Sequence, residues 1–301
     1  MEQKKSIVIT GAEGMLGRAC YDYFNTKYGN DYIIHRIDKT ANLDMTNIEH
    51  LERWFLRWQP YYIINLASAS DVHESIILPR TIIKNNVMLA LNLFDCVRRF
   101  TPNARVLQFS TDEVFDDEGK ETFKEDDSIR PRNPYSASKH AQEDIAFAYA
   151  NTYNLNVVVT NCTNIIGSHQ GDIIHVGGGK KLLPALIDAA DKGTTFRLDD
   201  EGKATRTWVN VNDVCSAIDA ILFNGTQRRY NIGGSEVLSV MDVLKLVEKI
   251  TGKTIKWEDS KRPGQDFHYN LDISRLKDEL RWEPKWTVEE TIKHLWEEKV
   301  W

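Results

Sequence analysis

The run Ser6-Ile7-Val8-Ile9-Thr10 passes directly into Gly11-Ala12-Glu13-Gly14-Met15-Leu16-Gly17, a G-x-x-G-x-x-G spacing. The apolar run reads as a short buried strand. Glycines at these intervals allow a tight turn, the close approach of a pyrophosphate, and the packing of a following helix against the sheet. Glycines alone also mark ordinary turns. Here they stand between a strand and a predicted helix over Met15–Tyr28, the context a dinucleotide-binding loop requires. The helix N-terminus would add free N–H groups and the positive end of a dipole. Gly11, Gly14, Met15, Leu16 and Gly17 are therefore candidate cofactor-binding residues.

Downstream, strands are predicted over Tyr32–Ile37, Tyr62–Asn65, Arg105–Ser110 and Asn156–Thr160, alternating with helices over Ile48–Trp58, Ile82–Phe100 and Pro134–Tyr153. That rhythm implies an α/β fold, a Rossmann-like doubly wound parallel sheet with a smaller C-terminal substrate-binding lobe. Helices at Leu182–Ala190, Val211–Phe223, Val240–Ile250 and Val288–Glu298, with a strand at Arg206–Val211, fill the second half. The division expected is residues 1–165 for the cofactor domain and 166–301 for the lobe, with a segment around 207–230 returning to the first domain. The glycine-rich stretch Gly167–Gly179 reads as an ordered loop or a lid.

Asp38 closes the second predicted strand, 21 residues after Gly17. A carboxylate there accepts the hydroxyls of an adenosine ribose, which favours NAD. Arg36 and Lys39 flank it and would suit a 2′-phosphate, so NADP stays open. Asp44 and Met45 lie where the chain would pass the adenine.

Composition argues against other classes of function. The 301 residues are 42% hydrophobic and 27% charged, with a net charge of -6, and nothing in that balance attracts nucleic acid. No apolar run approaches the roughly 18 residues of a membrane helix, and no signal-peptide pattern opens the chain. Cys20, Cys96, Cys162 and Cys215 form no C-x-x-C pair, so a reduced, cytoplasmic setting is expected. His73, His140, His169, His175 and His268 have no metal-ligand spacing, and no metal site is expected.

The remaining chemistry gathers after Val106-Leu107-Gln108-Phe109. Ser110-Thr111-Asp112-Glu113 sits where that strand gives way to a loop, the end at which open α/β sheets bind ligands. Tyr135 and Lys139 open the next helix at i and i+4, on one face. A cation so placed is expected to lower the tyrosine pKa from its usual value near 10. The phenolate could then take a proton from a substrate hydroxyl. Adjacent strand residues point to opposite faces, so Asp112 and Glu113 could share one substrate only if the backbone turns between them. Asp116, Asp117 and Glu118 follow closely, so a solvated acidic loop is the plainer alternative.

With these motifs in place the chain resembles the extended short-chain dehydrogenase/reductase family along nearly its whole length. Asn65-Leu66-Ala67-Ser68 is similar to the family's loop beside the cofactor, and Asn86 to an asparagine of its central helix. Asn161-Cys162-Thr163-Asn164-Ile165-Ile166-Gly167 resembles the segment linking cofactor to substrate. Arg206-Thr207-Trp208-Val209-Asn210-Val211-Asn212-Asp213, Arg262-Pro263-Gly264-Gln265-Asp266 and Leu280-Arg281-Trp282-Glu283-Pro284 are further matches. The Thr111-Asp112-Glu113 triplet is similar to the pattern of dTDP-glucose 4,6-dehydratases.

The resemblance implies oxidation at C4 of a nucleotide sugar, loss of water across C5 and C6, and return of the hydride to C6. Glu113 would be the C5 base, Asp112 the C6 acid, and Thr111 a hydrogen-bond donor beside Tyr135. Leu66, Ala67, Ser68, Asn86, Tyr135 and Lys139 would contact the cofactor. Asn164, Arg206 and Arg262 would bind the diphosphate. A homodimer through the two long helices is implied as well. The opening T-G-A-E-G-M-L-G also resembles dTDP-4-dehydrorhamnose reductases, so an epimerase or 4-keto-sugar reductase on the same scaffold is the alternative, and a non-catalytic dinucleotide-binding protein the more distant one. Two departures bear on the substrate: only five residues separate Asp38 from Asp44, and Gly167–Gly179 is unlike the dehydratase pattern.

Overall fold

All five residues of Ser6–Thr10 are buried, as a strand enclosed on both faces must be. The computed structural model describes residues 5–41, 43–116, 119–168, 180–260 and 268–301. In chain order the first half runs β1 (Ser6–Thr10), α1 (Met15–Tyr28), β2 (Ile33–Ile37), α2 (Ile48–Trp58), β3 (Tyr62–Asn65), α3 (Val72–Ile77), α4 (Pro79–Phe100), β4 (Arg105–Phe109), a 3-10 turn at Asp112–Val114, β5 (Thr122–Phe123), α5 (Pro134–Tyr153) and β6 (Asn156–Cys162). The second half runs β7 (Asn164–Ile166), α6 (Leu182–Lys192), β8 (Phe196–Asp199), β9 (Thr205–Asn210), α7 (Val211–Asn224), β10 (Arg229–Ile232), β11 (Glu236–Ser239), α8 (Val240–Thr251), β12 (Trp257–Ser260), β13 (His268–Leu271), α9 (Ser274–Leu280) and α10 (Val288–Glu298).

Six parallel strands form the large sheet in the order β10-β6-β4-β3-β1-β2. The strand order reverses beside β1, where such sheets bind dinucleotides. One face carries α1 and α7, whose Cys20, Phe24, Ile218 and Leu222 pack on Ile7 and Ile9. The other carries α2, α4 and α5, with Leu51, Phe55, Leu93 and Phe94 packed against Val8, Ile63 and Val106. A second sheet, β11-β9-β13-β5 with β7 also on β9, and a third apolar cluster around Leu186, Ile187, Val247 and Ile292 make the smaller lobe. The segment after β9 crosses back, since α7 packs on α1 and β10 pairs with β6.

The predicted helix at Ile82 begins earlier, at Pro79, and is preceded by α3, which the sequence reading passed over. Pro79 sits in the first turn, where a proline costs no hydrogen bond. The strand predicted to end at Thr160 runs on to Cys162 because Ile232 of β10 pairs with it. The strand predicted over Arg206–Val211 spans Thr205–Asn210, and Val211 opens α7. Among the described residues no helix is long and apolar enough to cross a membrane.

A polar ladder crosses the carboxyl ends of the central strands. Thr10 Oγ1 donates to Asn65 Oδ1 at 2.6 Å, and Asn65 Nδ2 donates to Gln108 Oε1 at 2.6 Å. These are register partners across β1, β3 and β4. Thr10 Oγ1 also accepts the N–H groups of Leu66 and Ala67 at 3.2 and 3.1 Å. Buried polar groups need such partners, and here they hold the Leu66–Ser68 loop against the glycine turn.

Candidate active site

The glycine turn is as tight as its sequence suggests. Gly11 has φ +64°, and a Cβ on it would meet the Leu66–Ala67 backbone at 3.0 Å. A Cβ on Gly17 would lie 2.1 Å from the Gly11 carbonyl oxygen. Gly14 is the N-cap of α1 and supplies no side-chain cap, so the first-turn N–H groups lack a side-chain acceptor from it. A cavity of about 370 Å³ opens beside this turn, lined by Gly11, Asp38, Asp44, Met45, Ala67 and Ser68 among others. With Gly11 at one wall and the carboxylates of Asp38 and Asp44 at another, it fits the adenosine half of a dinucleotide. Met15 and Leu16 begin α1, with Leu16 packed on the core; Leu66 packs on the same core.

Asp38 accepts the Glu13 N–H at 3.1 Å through Oδ2, and Oδ1 accepts the N–H and hydroxyl of Thr40 at 2.9 and 2.8 Å. Arg36 is ion-paired with Glu13 and lies over the Tyr21 ring at 4.8 Å. Asn86 is fully buried. Its amide accepts the Ala69 N–H at 2.8 Å and donates to the Ala69 carbonyl at 3.0 Å and to Ser138 Oγ at 2.8 Å. Both its N–H groups are thus engaged by the protein, and it shapes the cofactor-side loop from behind.

At the end of β4 the chain leaves the strand and winds into a 3-10 turn over Asp112–Val114, with Thr111 as its N-cap. This is the backbone turn that two adjacent carboxylates need to face one region. Thr111 Oγ1 donates to Asp112 Oδ1 at 3.2 Å and accepts the Glu113 N–H at 3.3 Å. The carboxylates differ in surroundings. Asp112 is buried, and its Oδ2 has no hydrogen-bond partner among the described residues. Burial and the neighbouring Glu113 push its pKa up to about 7, against the opposing pull of Arg206 and Thr111. Glu113 is partly buried and accepts from Asn133 Nδ2 at 2.9 Å.

Asn133 caps α5 with a capping box to Ser136, and Pro134 sits in its first turn. That cap sets Tyr135 next to the turn, where the Thr111 hydroxyl is near enough to act on the phenol. Lys139 Nζ, one helical turn on, donates to the Phe109 carbonyl at 2.7 Å and to Gln142 Oε1 at 2.8 Å.

The expected lowering of the tyrosine pKa is absent. Burial first, then the charge of Glu113, hold the Tyr135 phenol well above its usual value. Lys139 is itself driven down to about 8 by burial, which Glu143 partly offsets. The loss of water and the two carboxylates outweigh what a cation one turn away contributes. Thr111, Asp112, Glu113, Tyr135 and Lys139 thus converge.

Asn164, on β7, pairs in register with Trp208 of β9, and Arg206 stands two residues earlier on that strand, close enough to act on Asp112. Arg262 and residues 169–179 of the glycine-rich stretch lie outside the described residues. The sequence reading missed Asn133, Gln142, Glu143, Asn161 and Arg229. The signal for Asn133 was present: Asn-Pro at a helix start is a cap followed by a favoured first residue.

A parallel dinucleotide-type sheet with a Tyr-x-x-x-Lys helix and a hydroxyl beside the phenol defines an extended short-chain dehydrogenase/reductase. Within that class the chain belongs to the GDP-mannose 4,6 dehydratase family, which it matches over residues 8–295. It is 34% identical to a dTDP-glucose 4,6-dehydratase of Xanthomonas campestris, over 78% of this chain and 71% of that one. It is 28% identical to the dTDP-glucose 4,6-dehydratase of Haemophilus influenzae, over 96% of each. The crystal structure of dTDP-glucose 4,6-dehydratase from Bacillus anthracis in complex with NAD superposes with a TM-score of 0.84 at 30% identity, covering 98% of this chain and 97% of that one.

Proposed function

We propose that the protein is an NAD-dependent nucleotide-sugar 4,6-dehydratase acting on dTDP-glucose or a close relative of it. The observation that carries this reading is the pair of unlike carboxylates on one turn. Asp112 is buried and titrates near 7, so near neutral pH a proton is available on it. Glu113 is more open and accepts a hydrogen bond from the Asn133 amide. Two carboxyls in unlike surroundings can divide acid and base work.

We assign Tyr135 to accept the proton of the sugar C4 hydroxyl, a role in which the positive charges of Lys139 and of bound NAD would have to offset the burial and the Glu113 charge that hold the phenol's own proton; Thr111 would hydrogen-bond the same sugar oxygen. Glu113 then removes the proton at C5, which the C4 ketone has acidified, and Asp112 protonates the departing C6 hydroxyl. NAD, when bound, would take the hydride from C4 and give it back to C6, with Glu113 returning its proton to C5. The glycine turn, Asp38, Asp44, Met45, Leu66–Ser68 and Lys139 would hold it. Arg36, occupied by Glu13, suits a cofactor without a 2′-phosphate.

Arg206 and Asn164 are assigned to the sugar diphosphate, where a guanidinium matches phosphate oxygens; Arg262 is assigned there on sequence alone. The exposed Ile76, Ile77, Leu78, Ile83 and Tyr153 lie on or beside α4 and α5. They are assigned to a homodimer contact, which a monomer in light scattering would refute. A cytoplasmic setting suits the four free, buried cysteines.

The test is turnover. The protein is incubated with NAD and, in parallel, dTDP-glucose, GDP-mannose and UDP-glucose. The expected product has lost one water and carries a 4-keto-6-deoxy sugar, with no net build-up of NADH. Product of unchanged mass would indicate an epimerase, and no product from any hexose would sink the reading.

A further inference from the structure

Glu143 continues the face of α5 that carries Tyr135 and Lys139, one turn beyond the lysine. It is fully buried. Its Oε2 lies 2.9 Å from Arg229 NH2, and its Oε1 accepts from Asn161 Nδ2 at 2.8 Å. Arg229 NH1 donates to Asn161 Oδ1 at 3.2 Å. Its guanidinium lies 5.2 Å from the Phe147 ring centre and 5.9 Å from that of Phe115. Asn161 Nδ2 also donates to the Thr111 carbonyl at 3.0 Å. Three elements, α5, β6 and β10, thus meet on the residue that caps the carboxylate turn.

A buried ion pair is weak evidence for stability, since apolar residues of similar volume often replace it at no loss. What this pair touches points elsewhere. One arm ends on the backbone of Thr111. The other is the carboxylate itself, whose charge is the one influence that raises Lys139 against its burial. The groups facing Lys139 are Tyr135 and Gln142 on its own helix and the Phe109 carbonyl of β4. Asp112 and Glu113 on the turn act on Tyr135, and Arg229 of β10 meets Glu143. Asp95 and Arg98 of α4 stand at the far end of α5, beside Tyr149 and Tyr153.

We propose that Glu143, paired with Arg229, is a positioning residue that backs the Tyr135–Lys139 face of α5 and, through Asn161, fixes the Thr111 end of the carboxylate turn. It touches no substrate. The proposal rests on the reading of Thr111, Tyr135 and Lys139 as the reacting site.

The test uses Glu143→Gln, the double variant Glu143→Gln/Arg229→Met, and Glu143→Asp. Lys139 ionisation is followed by the ¹³Cε resonance of labelled lysine, assigned by its loss in Lys139→Arg. Glu143→Gln should move the Lys139 titration to lower pH by about one unit, a tenfold change in the proton equilibrium. The alkaline limb of the rate should follow it. kcat should fall at least about tenfold with KM for the nucleotide sugar within about twofold, the pattern of a group that acts only beyond substrate binding. Should Glu143→Gln fail to fold with Arg229 left unpaired, the double variant carries the test. It should regain the wild-type Tm and keep both the shifted titration and the low kcat. Glu143→Asp should recover much of the titration.

A double variant that restores Tm, titration and kcat together would overturn the proposal, as would one that cannot fold, because the pair would then be a structural requirement alone. Absence of turnover in the wild-type protein would remove the functional reading and leave the Lys139 titration to decide this one.

Discussion

Asn133 serves two masters: its Nδ2 donates to Glu113 Oε2 at 2.9 Å while its Oδ1 accepts the Ser136 N–H at 2.8 Å. The start of the Tyr135 helix and the proposed C5 base are therefore fixed by one side chain. Glu113→Gln keeps the shape of this contact and removes the base. Elimination should fall by about 10²–10⁴-fold, while oxidation at C4 survives. The variant should then accumulate NADH on mixing with substrate, which the wild type does not. An absorbance trace showing no NADH and wild-type product formation would remove Glu113 from the C5 step.

The two duties of Asn133 can be separated. Asn133→Ala loses the cap, and a drop of about 1 kcal/mol in unfolding free energy is expected. Asn133→Asp retains the cap but sets a second carboxylate against Glu113, so stability should hold while activity falls. Urea melts and steady-state rates on the two variants check this. Equal activity in Asn133→Asp and wild type would mean that the amide does not hold Glu113.

Five of the six strands of the large sheet were legible as short runs set between helices, and the ones buried on both faces write that fact in their composition; β10 was not, because Arg229-Tyr230-Asn231-Ile232 is short and half polar and is a strand only through its pairing with β6. The helices over Met15–Tyr28, Ile48–Trp58, Pro134–Tyr153 and Val288–Glu298 were bounded by their caps and periodicity. The lobe was less legible. β5, β7 and β8 are two to four residues long, too short for alternation to register, and exist because distant strands pair with them. In the site, Tyr135 and Lys139 were visible through spacing. The state of Tyr135 was not, because Asp112 and Glu113 reach it only through the turn after β4. Glu143 was one more turn along a helix face already identified, but its meaning depends on Arg229, which β10 brings from the other half of the chain.

Gly17 offers a test of the cofactor loop. A methyl group there would stand 2.1 Å from the Gly11 carbonyl oxygen and 2.7 Å from Ala12 Cα, all backbone atoms that cannot step aside singly. Gly17→Ala must displace α1 from β1, at about 1–3 kcal/mol, and spoil the glycine turn at the same time. NAD affinity measured by calorimetry should fall at least about tenfold, with a lowered Tm in the absence of cofactor. Unchanged NAD affinity would mean that the turn is not the pyrophosphate site.

Asp112 should leave its mark on stability as a function of pH. Burial and the adjacent Glu113 raise its folded-state pKa to about 7, against a usual value of 3.8. For a group raised on folding, the stabilising contribution is complete below the unfolded value and is lost as pH rises through the folded one. The wild type should therefore lose stability between about pH 4 and pH 7 from this residue, because a buried carboxylate with a single hydrogen bond, from Thr111, is being charged. Asp112→Asn cannot ionise and escapes that loss. At about 1.4 kcal/mol for each pH unit of displacement, the variant should gain up to about 4 kcal/mol on the wild type across the window. It should at the same time lose the ability to protonate the C6 hydroxyl, so the more stable protein is the inactive one. Urea unfolding at pH 5 and pH 8 reads the effect, and parallel curves for the two proteins would show that Asp112 does not hold its proton near neutrality.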